Sequence, residues 1–340
     1  MKTIIINSGQ RISKIIFLGL AFSASVSLYA ANVQAASTLV NYAQRADVKI
    51  FIDEMVTQHG FDRTDLEQQF ASAKRLDNVL ESIAKPAEKE LNWKQYRPIF
   101  VTSKRSNKGK EFIKQHRAVL ERAEKEYGVP LEIIAAIVGV ETYYGKHTGN
   151  YTVFDSLTTL GFDYPPRSKF FRSELKQFLL LSKEEHIDID KMTGSYAGAM
   201  GMPQFISSSY RRYAVDFDGD GKRDLWNSID DVIGSVANYF SEHGWEKGMK
   251  VTHPVTVSNK SVVAEENQLK PYITVDQLRK QGVAIDASID GRQMASLLKF
   301  EGKHGDEYWI GLKNFYVITR YNHSELYAMA VFQLSEKLEE

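Results

Sequence analysis

Glu141 is the residue whose type and surroundings most clearly indicate chemistry. It follows an almost wholly apolar run, in which Ile134, Ile137 and Val138 lie on the same helical face. A carboxyl group in such surroundings is desolvated, which favours its protonated form and raises its pKa. That property suits a general acid that protonates a leaving oxygen near neutral pH. The alternative is a structural glutamate held by an arginine or by backbone donors.

A segment of small residues and amides, SYAGAMGMPQF at 195–205, could bind a sugar. Glycine lets the backbone approach a ligand, and Gln204 offers an amide donor and acceptor beside the ring of Phe205. The alternative is a tight turn between helices with core aromatics. A second polar cluster, Tyr321-Asn322-His323-Ser324, precedes the last predicted helix and could equally be an N-cap.

A third segment, DFDGDGKRD at 216–224, matches the start of an EF-hand calcium loop. Positions one, three and five are aspartates, position six is glycine, and position seven, Lys222, offers its carbonyl. Asn227 occupies position twelve, where a bidentate glutamate is expected, and Asp230 or Asp231 could close a longer loop. Clustered carboxylates repel one another unless a cation offsets them, so we expect one structural Ca²⁺. The alternative is a solvated acidic turn.

The composition excludes several function classes. The 340 residues carry 43 basic and 43 acidic side chains, and this balance argues against a basic nucleic-acid binder. The chain has no cysteine, which excludes disulfides, a thiol nucleophile, an iron–sulfur cluster and a cysteine-ligated zinc. No segment indicates an organic cofactor.

Residues 1–35 have the pattern of a secretory signal peptide. Lys2, Arg11 and Lys14 precede an apolar run over 15–30, and Val33-Gln34-Ala35 resembles a signal-peptidase site. The alternative is an uncleaved membrane anchor. Removal of residues 1–35 takes away three positive charges and leaves a net charge of −3. Because no cysteine is available for lipidation, we expect a soluble protein in the periplasm.

The hydrophobic pattern predicts the elements that position these residues. Helical spacing dominates 38–127, with a capping box at Thr64 and Glu67 and an end at Gly128. Further helices are predicted over 130–144, 168–185, 203–213, 228–243 and 324–339. Short strands are predicted over 249–257, 272–274, 282–285, 294–300 and 308–318. The predicted fold class is mainly α (α+β). The predicted domains are an N-terminal helical domain at 36–127, a catalytic core with the EF-hand-like loop at 128–245, and a small β-rich insertion at 246–316. The last segment, 317–340, is expected to return to the helical body.

Three motifs together resemble one known family. Gly139-Val140-Glu141-Thr142, the stretch from Gly198 to Tyr210, and Arg320-Tyr321-Asn322 resemble the membrane-bound lytic murein transglycosylase B family, glycoside hydrolase family 103. The resemblance covers roughly residues 40–335 and implies a lysozyme-like helical core with a small β domain. It implies an enzyme that cleaves the β-1,4 bond between N-acetylmuramic acid and N-acetylglucosamine in peptidoglycan and leaves 1,6-anhydro ends.

The resemblance also assigns roles to individual residues. Glu141 is the single catalytic acid and base, and Asn322 lies beside it. Ser195 and Gln204 bind the sugar, Arg167 faces an anionic peptide or lactyl group, and Asp230 closes the calcium loop begun by Asp216, Asp218 and Asp220. Pro166 replaces an arginine of the family, which affects the expected peptide preference. The groove is lined by aromatic side chains, namely Tyr96, Phe205, Tyr239, Tyr321 and Tyr327.

Two other functions remain open from the sequence. A hydrolytic muramidase needs a second carboxylate to position water, and Asp155 and Asp163 are the candidates. A calcium-stabilised protein that binds peptidoglycan without cleaving it is the other alternative. The expected partners are peptidoglycan strands, with cell-wall synthesis enzymes as further candidates, and the expected oligomeric state is a monomer.

Overall fold

The computed structural model describes residues 40–84, 91–264 and 267–339. The predicted signal peptide, 1–35, lies outside these ranges. Within them, the chain is mostly helical and carries one small sheet, so the predicted fold class is confirmed. None of the helices in these ranges combines the length and apolar character needed to cross a membrane.

Helices make up most of the described chain. They are, in chain order, α1 (Ala46–His59), α2 (Arg63–Ser72), α3 (Asp77–Ala84), α4 (Trp93–Phe100), α5 (Ser103–Tyr127), α6 (Leu131–Thr142), α7 (Val153–Asp163), α8 (Ser168–Glu185), α9 (Ser207–Tyr213), α10 (Ile229–Glu242), α11 (Val275–Lys280), α12 (Lys313–Tyr321) and α13 (Glu325–Glu339). The ends of α6, α8, α10 and α13 agree with the predicted ends to within two residues.

Two helix termini illustrate how local sequence sets these bounds. Gly128 ends α5 in the left-handed conformation, as predicted, with a φ of 73°. The capping box predicted at Thr64 is wrong, because α2 begins earlier. Its N-cap is Asp62, whose carboxylate accepts a hydrogen bond from the backbone N–H of Asp65.

Helix α6 is the central buried element. Every residue of α6 except Glu132 is buried, and the helix packs against α5, α10 and α13. A side chain at Gly139 would collide with the ring of Tyr144, since a Cβ there would lie 2.6 Å from Tyr144 Cζ. The absence of a side chain at Gly139 therefore lets the chain fold back closely after α6 ends.

The β-rich segment forms a five-stranded sheet. The strands of the described chain are β1 (Tyr151–Thr152), β2 (Thr193–Gly194), β3 (Thr252–Val257), β4 (Ile273–Thr274), β5 (Val283–Ala284), β6 (Met294–Gly302) and β7 (Gly305–Gly311). The sheet is antiparallel in the order β4-β6-β7-β3-β5, and Leu298 of β6 lies opposite Trp309 of β7. A separate two-stranded pair joins β1 to β2.

The strand predicted over 308–318 is too long. Strand β7 ends at Gly311 and helix α12 begins at Lys313, so only the first part of the prediction is extended. The buried side chains of α12 include Phe315, Val317 and Ile318, a spacing that a helix and a strand can share over so short a stretch.

One hydrophobic core runs through most of the chain, from Tyr42 to Leu338, and a smaller one lies within the sheet region around Leu297 and Ile310. Helix α5, which the prediction assigned to the N-terminal domain, packs against α6 and α10 of the predicted catalytic core. Helix α13 returns to pack against α4, α5 and α6. The domain boundaries stay predictions.

Candidate active site

Glu141 lies in the last turn of α6 and is 6% exposed. Its Oε1 accepts a hydrogen bond of 2.5 Å from the phenol of Tyr327, on α13. The next residue, Thr142, fixes the end of the helix, because its hydroxyl donates to Met202 O at 2.9 Å and accepts from the N–H of Gly145 at 3.0 Å. The carboxyl group is therefore held by a helix whose end is itself anchored.

A cleft of about 150 Å³ opens onto Glu141. Glu141 is the single carboxylate among the described residues that line it. The lining brings together residues from α6, from the turn before α9, from α9 itself, from α10 and from the end of α12, namely Glu141, Ala199, Gln204, Phe205, Ile206, Ser209, Tyr239, Arg320, Tyr321 and Asn322. The segments around Glu141, Gln204 and Tyr321 thus meet at one place, whereas the acidic loop at 216–224 contributes nothing to this lining.

Gln204 is held in an unusual conformation at the edge of this cleft. Its φ is 53°, in the left-handed region that residues other than glycine seldom occupy. Its side-chain amide nitrogen donates to Thr148 O at 3.0 Å and to Gly201 O at 2.9 Å. Because both amide hydrogens are engaged, the carbonyl oxygen of the side chain is the part available to accept from a ligand.

Gly201, within the same turn, permits a close approach of the backbone. Its φ is 66°, and a Cβ at this position would lie 2.3 Å from Leu225 O. The neighbouring Met200 exchanges backbone hydrogen bonds with Phe205 on the other side of the turn. The glycine-rich segment is therefore a tight turn and also one wall of the cleft, so the two sequence interpretations are compatible.

Aromatic rings also line the cleft. The ring of Tyr239 lies 5.6 Å from that of Phe205 and 4.8 Å from that of Tyr321, between ring centroids. The phenol of Tyr239 donates to Arg320 O and that of Tyr321 to Pro203 O, both at 2.6 Å. These two hydrogen bonds fix the ring orientations.

Burial raises the pKa of both Tyr321 and Tyr327 well above the ordinary value, and the negative charge of Glu141 adds to the shift. Both phenols therefore stay protonated over the physiological pH range. Tyr327, which stacks nearly parallel to Tyr321, acts as a permanent hydrogen-bond donor behind Glu141.

Four predicted substrate residues lie outside the lining of this cleft: Tyr327, described above, and Ser195, Tyr96 and Arg167. Ser195 Oγ accepts a hydrogen bond of 3.0 Å from the N–H of Ala199, within the turn. Tyr96 is buried with its ring 4.8 Å from that of Phe100. The guanidinium of Arg167 lies 4.3 Å from the ring centroid of Phe170.

The cleft also includes residues that no sequence motif indicated as substrate contacts. Arg320 belongs to the Arg320-Tyr321-Asn322 motif, so the two residues that follow it could have indicated its place at the cleft. Ile206 and Ser209 follow directly after Phe205, and nothing in their types distinguishes them from ordinary surface or core residues.

The two aspartates that a hydrolytic mechanism would need are engaged elsewhere. Asp155 Oδ1 accepts from the N–H of Lys74 at 2.9 Å. Asp163 accepts from the phenol of Tyr42 at 2.6 Å and forms an ion pair with Arg45. Neither aspartate lines the cleft at Glu141.

The acidic loop gathers three carboxylates. Oxygens of Asp216, Asp218 and Asp231 lie within 4.8 Å of one another. Asp216 also accepts from the N–H groups of Gly219 and Gly221, at 2.7 and 2.8 Å, which shapes the tight turn. Carboxylate oxygens on a turn that contains glycine are ligands of the kind that Ca²⁺ prefers.

The predicted ligand Asp230 lies outside this group of three. Asp230 points to α5 instead, where its carboxylate forms an ion pair of 3.2 Å with Arg122. Asp231, which is buried, is the third member of the cluster, because α10 begins at Ile229 and turns that side chain inward. Asp220 lies outside the group of three, and its Oδ1 accepts from the N–H of Lys222 at 2.9 Å.

Comparison with known proteins gives a consistent result. The transglycosylase SLT domain family matches residues 43–336. Membrane-bound lytic murein transglycosylase B of Escherichia coli (strain K12) is 43% identical over 305 residues, which cover 87% of this chain and 83% of that protein.

Solved structures extend the likeness to the fold. The catenated lytic transglycosylase SltB1 from Pseudomonas aeruginosa is 47% identical, covers 88% of this chain and 98% of its own, and has a TM-score of 0.84. The Escherichia coli lytic transglycosylase Slt35 in complex with calcium is 43% identical, with 88% and 94% covered and a TM-score of 0.82. SltB3 from Pseudomonas aeruginosa, in complex with NAG-NAM-pentapeptide, is 29% identical, with 86% and 79% covered and a TM-score of 0.77.

A helical core with a buried glutamate at an aromatic cleft is the architecture of a lysozyme-like enzyme. The chain belongs to the transglycosylase SLT domain family. The predicted activity, that of a lytic transglycosylase acting on peptidoglycan, is confirmed.

Proposed function

We propose that Glu141 is the single acid and base of this activity. The protonated carboxyl group gives its proton to the glycosidic oxygen as the bond between that oxygen and C1 of N-acetylmuramic acid breaks, and the oxygen keeps the bonding electrons. The C6 hydroxyl of the same sugar then bonds to C1, and its proton returns to Glu141. The products are a 1,6-anhydro end and a free N-acetylglucosamine hydroxyl, and no water is consumed.

Glu141 is the one carboxylate that lines the cleft in the described part of the chain, and this observation carries the proposal. A two-carboxylate mechanism needs a second acidic group at the scissile bond. Asp155 and Asp163 are held by Lys74, Tyr42 and Arg45 instead. The acetamido group of the substrate can stabilise the developing positive charge at C1, as in glycosidases that rely on substrate assistance.

The cleft supplies groups suited to an amino sugar. Tyr239, Phe205 and Tyr321 offer ring surfaces for the sugar faces, and the Gln204 carbonyl oxygen can accept from a sugar hydroxyl or amide. We assign Asn322 to the substrate beside Glu141. Tyr327 and Tyr96 support the floor of the cleft from behind, and Ser195 shapes the turn, so these residues position the site and do not line it.

We further propose that the acidic loop is an EF-hand-like structural calcium site. Asp216, Asp218 and Asp231 would hold the ion, with the Lys222 carbonyl and Asp220 completing the loop. The complex of Slt35 with calcium supports this assignment. The bound ion would offset the repulsion of the three carboxylates and stabilise the start of α10.

The remaining proposals concern location and assembly. We propose that residues 1–35 direct export to the periplasm, where peptidoglycan is found, and that the exported protein acts as a monomer. The complex of SltB3 with NAG-NAM-pentapeptide supports a substrate that carries its peptide stem.

The deciding experiment is digestion of purified peptidoglycan, followed by mass analysis of the muropeptides. The wild-type protein should release products with anhydro ends, and Glu141→Gln should release none. Glu132→Gln is the matched control, because Glu132 lies on the same helix but away from the cleft, and it should retain activity. Reducing ends in place of anhydro ends would indicate a hydrolase, and unchanged activity of Glu141→Gln would refute the assigned role.

A further inference from the structure

A second cavity lies beside the loop that follows Glu141. It occupies about 270 Å³ between the start of α5 and residues 143–147. Its lining is strongly basic and includes an aromatic ring, with Ile99, Thr102, Lys104, Arg105, Tyr143, Lys146 and His147 as the members. No carboxylate contributes to this lining in the part of the chain that the structure describes. We call it the basic cavity.

Arg105 is the central group of the basic cavity. The residue is 8% exposed, and its guanidinium lies between two rings, 5.1 Å from the centroid of Phe100 and 5.2 Å from that of Tyr143. One terminal nitrogen donates to Ile99 O at 2.6 Å. Its Nε is buried and has no hydrogen-bond partner among the described residues. A buried donor of this kind is costly unless a ligand accepts from it.

Arg105 forms no ion pair with a carboxylate of the described residues. Burial lowers the pKa of Arg105, and the charges that oppose this shift are tyrosine phenols, not carboxylates. The pKa of His147 is also lowered, first by burial and then by Lys146, Lys108 and Arg105. The first turn of α5 carries no acidic residue, so the positive end of its dipole adds to the field.

The basic cavity and the active-site cleft share one loop. Tyr143 follows two residues after Glu141, and the backbone N–H of His147 donates to Thr142 O at 2.9 Å. At the end of the loop, Thr148 O accepts from the side chain of Gln204, which lines the cleft. A ligand bound at Glu141 that extends past Gln204 can therefore place an anionic branch toward the basic cavity.

We propose that the basic cavity binds a carboxylate of the peptide stem of peptidoglycan. The inference rests on the proposed function, since it places the branch of a substrate whose sugar lies at Glu141. Arg105 Nε donates to the carboxylate, and Lys104 and Lys146, which are exposed, supply charge at the rim. Tyr143 packs against the stem beside them. The site selects substrates with charged stems over those with neutral stems.

The test compares peptidoglycan strands with native stems and the same strands whose stem carboxylates are converted to amides. For wild-type protein, the kcat/KM for native strands should be about tenfold or more above that for amidated strands. The ratio of these two kcat/KM values is the quantity to compare between variants. The ratio should fall to about one or two in Lys104→Gln/Lys146→Gln. Both lysines are exposed, so the double variant is expected to fold. Lys110→Gln, an exposed lysine of the same helix outside the cavity, should keep the wild-type ratio.

A binding measurement makes the result independent of turnover. Titration calorimetry with the isolated stem pentapeptide should show binding to wild type and to Glu141→Gln, and at least fivefold weaker binding to Lys104→Gln/Lys146→Gln. The amidated pentapeptide should bind no variant. The inference is overturned by a wild-type ratio of one, by an equal loss in Lys110→Gln, or by equal peptide binding in the double variant. If wild type binds the pentapeptide but cleaves no strand, the proposed function fails and this inference stands.

Discussion

The phenol of Tyr327 donates a hydrogen bond of 2.5 Å to Oε1 of Glu141, so a residue of the last helix directly holds the proposed acid of helix α6. The two residues are 186 positions apart in the chain. Because burial and the charge of Glu141 raise the pKa of Tyr327, the phenol does not compete for the catalytic proton. One oxygen of the carboxyl group, Oε1, is thus engaged by the last helix.

This contact predicts the effect of Tyr327→Phe. Loss of a buried hydrogen bond to a charged group costs about 1.5–3 kcal/mol, so kcat should fall about 10- to 100-fold. The measurement is the rate of anhydro-muropeptide release at saturating peptidoglycan. Tyr308→Phe, on strand β7 of the sheet, is the control and should leave kcat unchanged. A Tyr327→Phe enzyme with wild-type kcat would show that the hydrogen bond has no part in catalysis.

Gly139 predicts a packing effect that opposes helix propensity. Alanine is favoured over glycine by about 1 kcal/mol inside a helix, yet a Cβ at Gly139 would lie 2.6 Å from Tyr144 Cζ. Overpacking should dominate, so Gly139→Ala should lower the free energy of unfolding by about 1–3 kcal/mol. Chemical denaturation measures this loss.

A double variant identifies the cause of that loss. If the clash with Tyr144 is responsible, Gly139→Ala/Tyr144→Ala should be more stable than the sum of the two single effects predicts. Additive effects would show that the two residues do not interact, and would argue against the packing described for the turn after α6.

Much of the site could be predicted because its residues lie in short, distinctive segments. The apolar run before Glu141 indicates burial by its spacing alone, and the motifs around Gln204 and Tyr321 carry the family resemblance. The choice between Asp230 and Asp231 as a ligand is harder, because it depends on where α10 begins. One residue of difference rotates a helical side chain by about 100°, and sequence patterns do not define helix ends that closely.

Tertiary contacts account for what the sequence could not indicate. The basic cavity joins the start of α5 to the loop after α6, so neither segment shows it alone. Arg167 carries a charge suited to a peptide, but its position over Phe170 depends on how α8 packs. Lys313–Tyr321 was assigned partly to a strand because its apolar spacing is short enough to fit either element.

Glu174 predicts a pH dependence of stability. Burial raises its pKa, although the N–H of Ser208 and the charge of Arg167 oppose the shift. A carboxyl group that binds its proton more tightly in the folded state stabilises the fold below its unfolded pKa, and this contribution is lost as the pH rises through the folded pKa. Because glutamine does not ionise, Glu174→Gln should not lose this stability as the pH rises. The Tm of Glu174→Gln minus that of wild type should become more positive from pH 4 to pH 7.

Glu184 provides a comparison of opposite sign. A hydrogen bond from Arg211 lowers the pKa of Glu184. The contribution of Glu184 to folding stability is therefore present above its unfolded pKa and is lost as the pH falls through its folded pKa. The Tm of Glu184→Gln minus that of wild type should become more negative over the same pH range. Two variants with the same pH trend would show that burial does not control Glu174.

The acidic loop predicts a response to calcium that depends on Asp218 and not on Asp230. An ion that binds only the folded state at 100 times its Kd adds about 2.7 kcal/mol to the free energy of unfolding, so calcium should raise the Tm of wild type and a chelator should reverse it. Asp218→Asn should lose most of this response because its carboxylate belongs to the cluster with Asp216 and Asp231. Asp230→Asn should keep it, since Asp230 is paired with Arg122. Scanning calorimetry with and without calcium measures both, and a response lost in Asp230→Asn but kept in Asp218→Asn would restore the ligand set first inferred from the sequence.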